Sequence, residues 1–268
     1  MWQGKKKAIT FSFDDGVKQD IRCIEILNKY GLKGTFNLNS GWLGLLDVWH
    51  TETKDVCRNK VLPSQVKSVY EGHEIAVHTL MHPRLTELED EVVIRQVEED
   101  RKALSALCGY PVVGMAYPCG GVNNDERVAK LIAENTPIRY SRTITSTYSY
   151  ELQKGNLLRF NPTLHFLDAK TDEVVDRFLA LETDEPQLLY IWGHTYELDL
   201  DEALWTNFEE LCKKLSGKED IFYGTNKETL LYQCQSADRS VSAPERFAGT
   251  LPDVLLPSAD CFPVSIRL

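Results

Sequence analysis

Hydrophobic and polar positions alternate most sharply near the start of the chain. In Ala8-Ile9-Thr10-Phe11-Ser12-Phe13, every second residue is large and apolar, which reads as a short strand. After it, Ile21, Ile24, Ile26 and Leu27 recur at roughly helical spacing, and Gly31 closes that helix. Residues 33–38 read as a second strand, and residues 39–62 as a long irregular stretch carrying Trp42, Trp49 and His50. These aromatics either line a groove or cover one end of the fold. Pro63 suits the first turn of a helix to about residue 70, broken by Gly72.

The alternation continues. Strands are expected at 73–77, 112–116, 138–141, 157–160, 187–192 and 221–224. Helices are expected at 86–107, opened by Thr86 and Glu89 and ended by Gly109, and after Asn123 and Glu126. Three more are expected: 171–181 capped by Thr171, 201–215, and a last one to about residue 235. Strand and helix in turn imply parallel strands joined by helices, as a barrel or a doubly wound sheet. Residues 236–268 change character, with four prolines and no helical period. They are expected to form a tail on a domain of residues 1–235, with a strand pair at 254–256 and 264–266.

Composition narrows the partners. A chain of 268 residues that is 43% hydrophobic can bury a sizeable core. Its net charge of −10 argues against nucleic acid and anionic membrane surfaces, and no run of 18 apolar residues is present. The seven cysteines are scattered without CxxC spacing, which suits free thiols in a reducing compartment. Lysines in the first seven residues are followed by no apolar segment before Asp14, so the expected location is cytoplasmic, or secreted if a leader was removed.

The chemistry-bearing residues fall just after strand ends. The first strand stops at Asp14-Asp15-Gly16. That triplet is by itself a turn signal, but adjacent carboxylates repel unless a cation or shared proton relieves them. The third strand leads into His78-Thr79-Leu80-Met81-His82-Pro83, the fourth into Tyr117-Pro118-Cys119-Gly120, and the strand at 187–192 into Gly193-His194. Two histidines four apart point the same way on a helical turn and can converge from a loop as well. With Asp15 they make a three-ligand set that leaves room for water. Asp14 then becomes a candidate general base and His194 a candidate general acid. Pro118-Cys119-Gly120 is a rigid turn whose backbone N–H groups could face an oxyanion. In a parallel barrel all these strand ends share one face.

Phe11-Ser12-Phe13-Asp14-Asp15-Gly16, then His78 to Pro83, then Ala116-Tyr117-Pro118-Cys119-Gly120, then Trp192-Gly193-His194 resemble the ordered motifs of the polysaccharide deacetylase family, also called carbohydrate esterase family 4 or the NodB homology domain. The resemblance spans roughly residues 7–235. It implies a distorted (β/α)7 barrel and a divalent metal, usually zinc with cobalt, nickel or manganese as alternatives, on Asp15, His78 and His82. It makes Asp14 the base, His194 the acid and the Cys119 backbone N–H an oxyanion donor. The implied reaction removes an N- or O-linked acetyl group from an amino sugar, oligosaccharide or polysaccharide. Tyr117, Pro118, Tyr196 and His165 are the expected substrate contacts.

Three departures stand out. The family often carries Arg where this chain has Ala116, and an aromatic residue where it has Cys119. The Asp-Trp motif that usually tunes the acid histidine is not visible, and Ser141-Arg142-Thr143 stands in roughly that region. Arg142 is the expected substitute cation, the alternative being a surface arginine. These departures keep two rivals open: an allantoinase-like amidase on a small amide, and a non-catalytic carbohydrate-binding protein.

Overall fold

A computed structural model of the chain describes residues 1–232. The expected end of the last helix beyond residue 232, the tail at 236–268 and its strand pair lie outside the described residues. The strands are β1 (Lys7–Asp14), β2 (Gly34–Leu38), β3 (Val48–His50), β4 (Asp55–Cys57), β5 (Glu74–Val77), β6 (Gly114–Ala116), β7 (Tyr140–Arg142), β8 (Leu164–His165), β9 (Gln187–Gly193) and β10 (Ile221–Tyr223). The helices are α1 (Asp20–Lys29), α2 (Val66–Val69), α3 (Asp90–Cys108), α4 (Glu126–Asn135), α5 (Thr171–Leu179), α6 (Glu202–Leu215) and α7 (Asn226–Leu230).

Eight strands form one parallel sheet in the order β7-β6-β5-β2-β1-β9-β8, with β10 added beside the start of β1. The ring closes through an irregular segment. Phe160 forms a parallel bridge with Arg142 of β7, and four residues on, Leu164 and His165 pair with β9. Seven strand positions therefore run around a distorted (β/α)7 barrel, the architecture the resemblance implies. The expected strand at 157–160 is instead a 3-10 turn at Leu157–Arg159, and pairing resumes at β8. Asn161 and Pro162 interrupt the run, and proline has no N–H to give to a ladder.

Both faces of β1 are buried, which explains its alternation. Phe11 and Phe13 face outward onto Phe208 of α6, and Phe13 also stacks on Phe36. Thr10, Ser12 and Asp14 face the inside of the ring rather than water. There Thr10 bonds Asn226, Asn226 donates to Ser12, and Asn37 donates to both Ser12 and Asp14. Buried polar groups need such partners, so this ladder is the condition for a polar barrel interior. Below it, Glu74 accepts from Thr35, Tyr140 and the Lys227 N–H.

Several local expectations are corrected. The stretch 39–62 holds an antiparallel hairpin, β3 with β4. Helix α3 begins at Asp90 with Glu89 as N-cap, while the Thr86 hydroxyl bonds Val122 O. Helix α4 is capped by Asp125, whose carboxylate accepts from Val128 N, and not by Asn123. Asn123 instead donates to the carbonyls of the 117–119 turn. Thr171 lies inside α5, with Lys170 at the cap position. Among the described residues, no helix is long and apolar enough to cross a membrane.

Candidate active site

The C-terminal ends of the strands bring the chemistry together. Asp14 ends β1 and Asp15 follows it; His78 follows β5; Arg142 ends β7; His165 ends β8; His194 follows β9. Asp15, Thr79, His82 and Cys119 all have positive φ (83°, 69°, 55° and 66°). Such backbone costs energy in non-glycine residues, and strain of this kind clusters at functional sites. It also settles how the two histidines meet: His78 and His82 sit on a strained loop, not a helical turn. Helix α3 holds that loop. Asp100 accepts from the N–H groups of His78 and Ser40, and Gln96 accepts from Met81 N. Asn39 donates to the carbonyls of His78 and Thr79.

Asp15, His78 and His82 present ligand atoms within 4.8 Å of one another. His78 Nε2 lies 3.7 Å and His82 Nε2 3.5 Å from Asp15 Oδ1. His78 donates its Nδ1 proton to Ala116 O at 2.9 Å, so its Nε2 presents a lone pair. Asp15 Oδ1 is buried with no hydrogen-bond partner. Burial keeps both imidazoles neutral, pushing His82 down to about 3 and His78 in the same direction. Burial opposes the Asp15 charge, but Lys60 and the neighbouring histidines outweigh it and hold the carboxyl below its usual range. An orphaned anionic oxygen facing two imidazole nitrogens is a donor set that fits a divalent cation such as zinc. Trp42 covers this group from outside, stacked on His82 at 5.2 Å.

Asp14 lies alongside with 2% exposure. Its Oδ1 accepts from Asn37, and its Oδ2 pairs with the fully buried guanidinium of Arg142. Burial works against the charge, and Arg142, His78 and His194 reverse that, leaving the pKa below the ordinary value. Ala116 and Arg142 are register partners on β6 and β7. The cation thus stands one strand over from the position where the resemblance places it.

Across from Asp14, His194 turns Nε2 toward Asp14 Oδ2 at 4.0 Å and Nδ1 toward Glu197 Oε1 at 3.3 Å. Burial lowers the His194 pKa, but Glu197, Asp15 and Asp14 outweigh it and raise it to about 9. Thr195 fixes the turn by donating to buried Asp20. Glu197 was not among the sequence candidates. Its signal was the three-residue step from His194, the spacing at which a side chain reaches back to the N–H of the residue opening a turn. Glu197 Oε2 does accept from His194 N.

The expected substrate contacts are redistributed. Tyr117 is 1% exposed, and its hydroxyl donates to Leu158 O. Tyr196 is also 1% exposed, packed against Trp49, so neither ring presents a face to a sugar. Pro118 is buried, and His165 Nε2 is engaged with Glu197. The Cys119 thiol lies against His82, at 3.8 Å from its Nδ1. Among the groove aromatics Trp42 reaches the site, whereas His50 pairs with Asp55 on the exposed hairpin. Beside the 117–121 turn opens a polar cleft of about 490 Å³, lined by Asn124, Thr143, Thr145, Gln153, Arg159 and Asn161 among others.

The sequence profile of the family described as "Polysaccharide deacetylase" matches residues 3–140, about half of the chain. The chain belongs to the polysaccharide deacetylase family. The matched span holds Asp14, Asp15, His78, His82 and Cys119, and ends before Arg142 and His194. Within the family, a peptidoglycan-N-acetylglucosamine deacetylase of Listeria monocytogenes is 30% identical over 120 residues, 44% of this chain and 22% of that protein. Chitin deacetylase 2 of Cryptococcus neoformans is 31% identical over 134 residues, 47% of this chain and 30% of that protein. The chain therefore matches under a third of the length of these curated relatives. A solved Mycobacterium smegmatis chain, provisionally assigned as a polysaccharide deacetylase, superposes with a TM-score of 0.61 at 18% identity, covering 91% of this chain and 96% of that one. This polysaccharide deacetylase family member thus shares its barrel with a chain of very different sequence.

Proposed function

We propose that the chain is a metal-dependent hydrolase that removes N- or O-linked acetyl groups from an amino sugar, oligosaccharide or polysaccharide. The observation that carries this reading is Asp15 Oδ1. It is a buried, unbonded acceptor facing two imidazole nitrogens, with a fixed carboxylate on one side and a charged histidine on the other. The named substrates of the relatives, peptidoglycan N-acetylglucosamine and chitin, indicate the class.

Asp15, His78 and His82 would hold the cation, zinc or a similar divalent metal, which supplies Lewis-acid polarisation of the acetyl carbonyl and of water. Asp14 accepts the proton of the attacking water at Oδ2. Arg142 and Asn37 keep that carboxylate ionised and still. The Cys119 N–H donates to the oxyanion that develops on the carbonyl. His194 gives its Nε2 proton to the leaving nitrogen or oxygen. Its raised pKa keeps that proton in place at neutral pH.

The test is acetate release from chitooligosaccharides and peptidoglycan fragments, with metal removed and then zinc restored. Release that depends on zinc supports the reading. Hydrolysis of small amides with no release from any acetylated sugar overturns it in favour of an amidase. Glycan binding without release under any divalent metal overturns it in favour of a carbohydrate-binding protein.

A further inference from the structure

His165, His194 and Glu197 form a second cluster with metal-like spacing, their ligand atoms lying within 4.8 Å of one another. The hydrogen bonds decide against a metal there. The Leu167 N–H donates to His165 Nδ1 at 3.2 Å, so Nδ1 carries the lone pair and Nε2 carries the proton. That Nε2 faces Glu197 Oε2 at 3.0 Å. A neutral imidazole has one lone pair to offer a cation, and here it is taken by a backbone donor. His165 is therefore built as a proton donor toward Glu197.

We propose that His165 is a positioning residue for the acid: its Nε2–H pins the Glu197 carboxylate, and Glu197 so held keeps the proton on His194 Nδ1 while Nε2 faces Asp14. This rests on the reading of His194 as the general acid. The ring of His165 has nowhere else to go. Phe166 stacks on it at 4.9 Å, the Trp192 edge closes it at 4.8 Å, and a Cβ on Gly193 would come within 2.9 Å of its Nε2. Glu197 is committed as well. Its Oε2 takes His165 and the His194 N–H, and its Oε1 faces His194 Nδ1. His194 Nδ1 makes no aligned hydrogen bond, so its hold is the nearness of a fixed charge. The titratable groups around His194 are Asp14 and Asp15 at the end of β1, Tyr196 and Glu197 on its own turn, and His165 on β8. Of these, only Glu197 is set within ion-pair distance of Nδ1. A buried carboxylate that lost one of two imidazole partners would take up a proton or swing away, and His194 would lose its anion.

Two variants of the full, zinc-loaded chain separate the donor from the ring. His165→Phe keeps the stacking and removes the N–H. His165→Gln removes the ring and keeps an amide N–H at similar reach. The readouts are the titration of His194 by 15N-histidine NMR, the pH profile of kcat/KM on an N-acetylated sugar, and zinc per chain. For His165→Phe we expect the His194 titration and the basic limb to move down by about one to two pH units. Turnover should fall by roughly tenfold or more, with zinc content unchanged. His165→Gln should stay near wild type. The proposal is overturned if His165→Phe leaves the His194 titration in place, or if His165→Gln behaves like His165→Phe. It is equally overturned if the wild type holds a second zinc that His165→Phe loses. Should the wild type release no acetate at all, the deacetylase reading fails, and the NMR titration still judges this inference.

Discussion

The guanidinium of Arg142 meets the carboxylate of Asp14 across the inside of the ring, from strands separated by β6, β5 and β2 on one side and by β8 and β9 on the other. A flat sheet would hold these residues several strands apart, roughly 5 Å per strand. The pair is therefore a direct product of closure.

Replacing Arg142 by Met should lower kcat/KM and move the acidic limb upward. Asp14 has its pKa depressed in the fold, so it is ionised above that value and loses its charge as pH falls through it. Removing the cation raises the pKa and narrows the active range from the acid side. Leaving a buried carboxylate unpaired should also cost about 3–5 kcal/mol of stability, read as a lower melting temperature. Zinc content should not change. Because Ala116 is the register partner of Arg142, Ala116→Arg together with Arg142→Ala should recover part of the loss. An unaltered pH profile in Arg142→Met would remove Asp14 from the role of base.

Neutralising the two adjacent carboxylates should separate binding from chemistry. Asp15→Asn takes away the one anionic ligand of the set, so metal per chain and activity should fall together, and added zinc should restore part of both. Asp14→Asn should keep its metal and lose roughly a hundredfold to ten-thousandfold in rate. Metal analysis beside acetate release checks both, and the reverse pattern would exchange the two assignments.

His194→Ala should depress turnover of an acetamido sugar far more than that of an activated acetyl ester, because an amine leaves badly unless protonated. In the intact chain activity should decline as pH rises through about 9, where His194 gives up its proton. Glu197→Gln should bring that decline to lower pH, since burial then acts on His194 without its anion. Equal losses on amide and ester would take the acid role from His194.

Away from the site, His73 should make the fold acid-sensitive. Its Nδ1 accepts from Gly34 N, and its Nε2 faces Asn28 Oδ1, so the ring is buried neutral. Burial and the nearby Lys33 lower its pKa to about 4. The unfolded chain binds this proton first, so stability is lost as pH falls from about 6.5 to 4, by on the order of 2–3 kcal/mol. Urea midpoints across that range should fall in the wild type and fall less steeply in His73→Gln, the remaining slope coming from His78 and His82, which burial also holds neutral.

The clearest sequence signals were those that depend on neighbours in the chain. Alternation located β1 and a continuous apolar run located β9, because a strand packed against helices must place apolar residues at least on its outward face. Gly109 marked the end of α3, where it takes the left-handed conformation with φ of 84°. Other local signals pointed nearby and missed. Thr86, Asn123 and Thr171 are all good capping types, yet each hydroxyl or amide is spent on a loop carbonyl instead. Capping chemistry names a residue type, and the approach of a second segment decides which copy is used.

By itself the sequence determined an alternating α/β chain with Asp14, Asp15, His78, His82 and His194 each just past a strand, because strand period and strand end are written in adjacent residues. It could not determine what stands around them. That Arg142, the expected substitute cation, reaches Asp14 rather than the surface, that Glu197 and His165 back His194, and that Tyr117 and Tyr196 turn inward all follow from contacts between distant segments. Closing the ring brings these segments within hydrogen-bond reach, and the low dielectric inside it decides which of their charges must be paired.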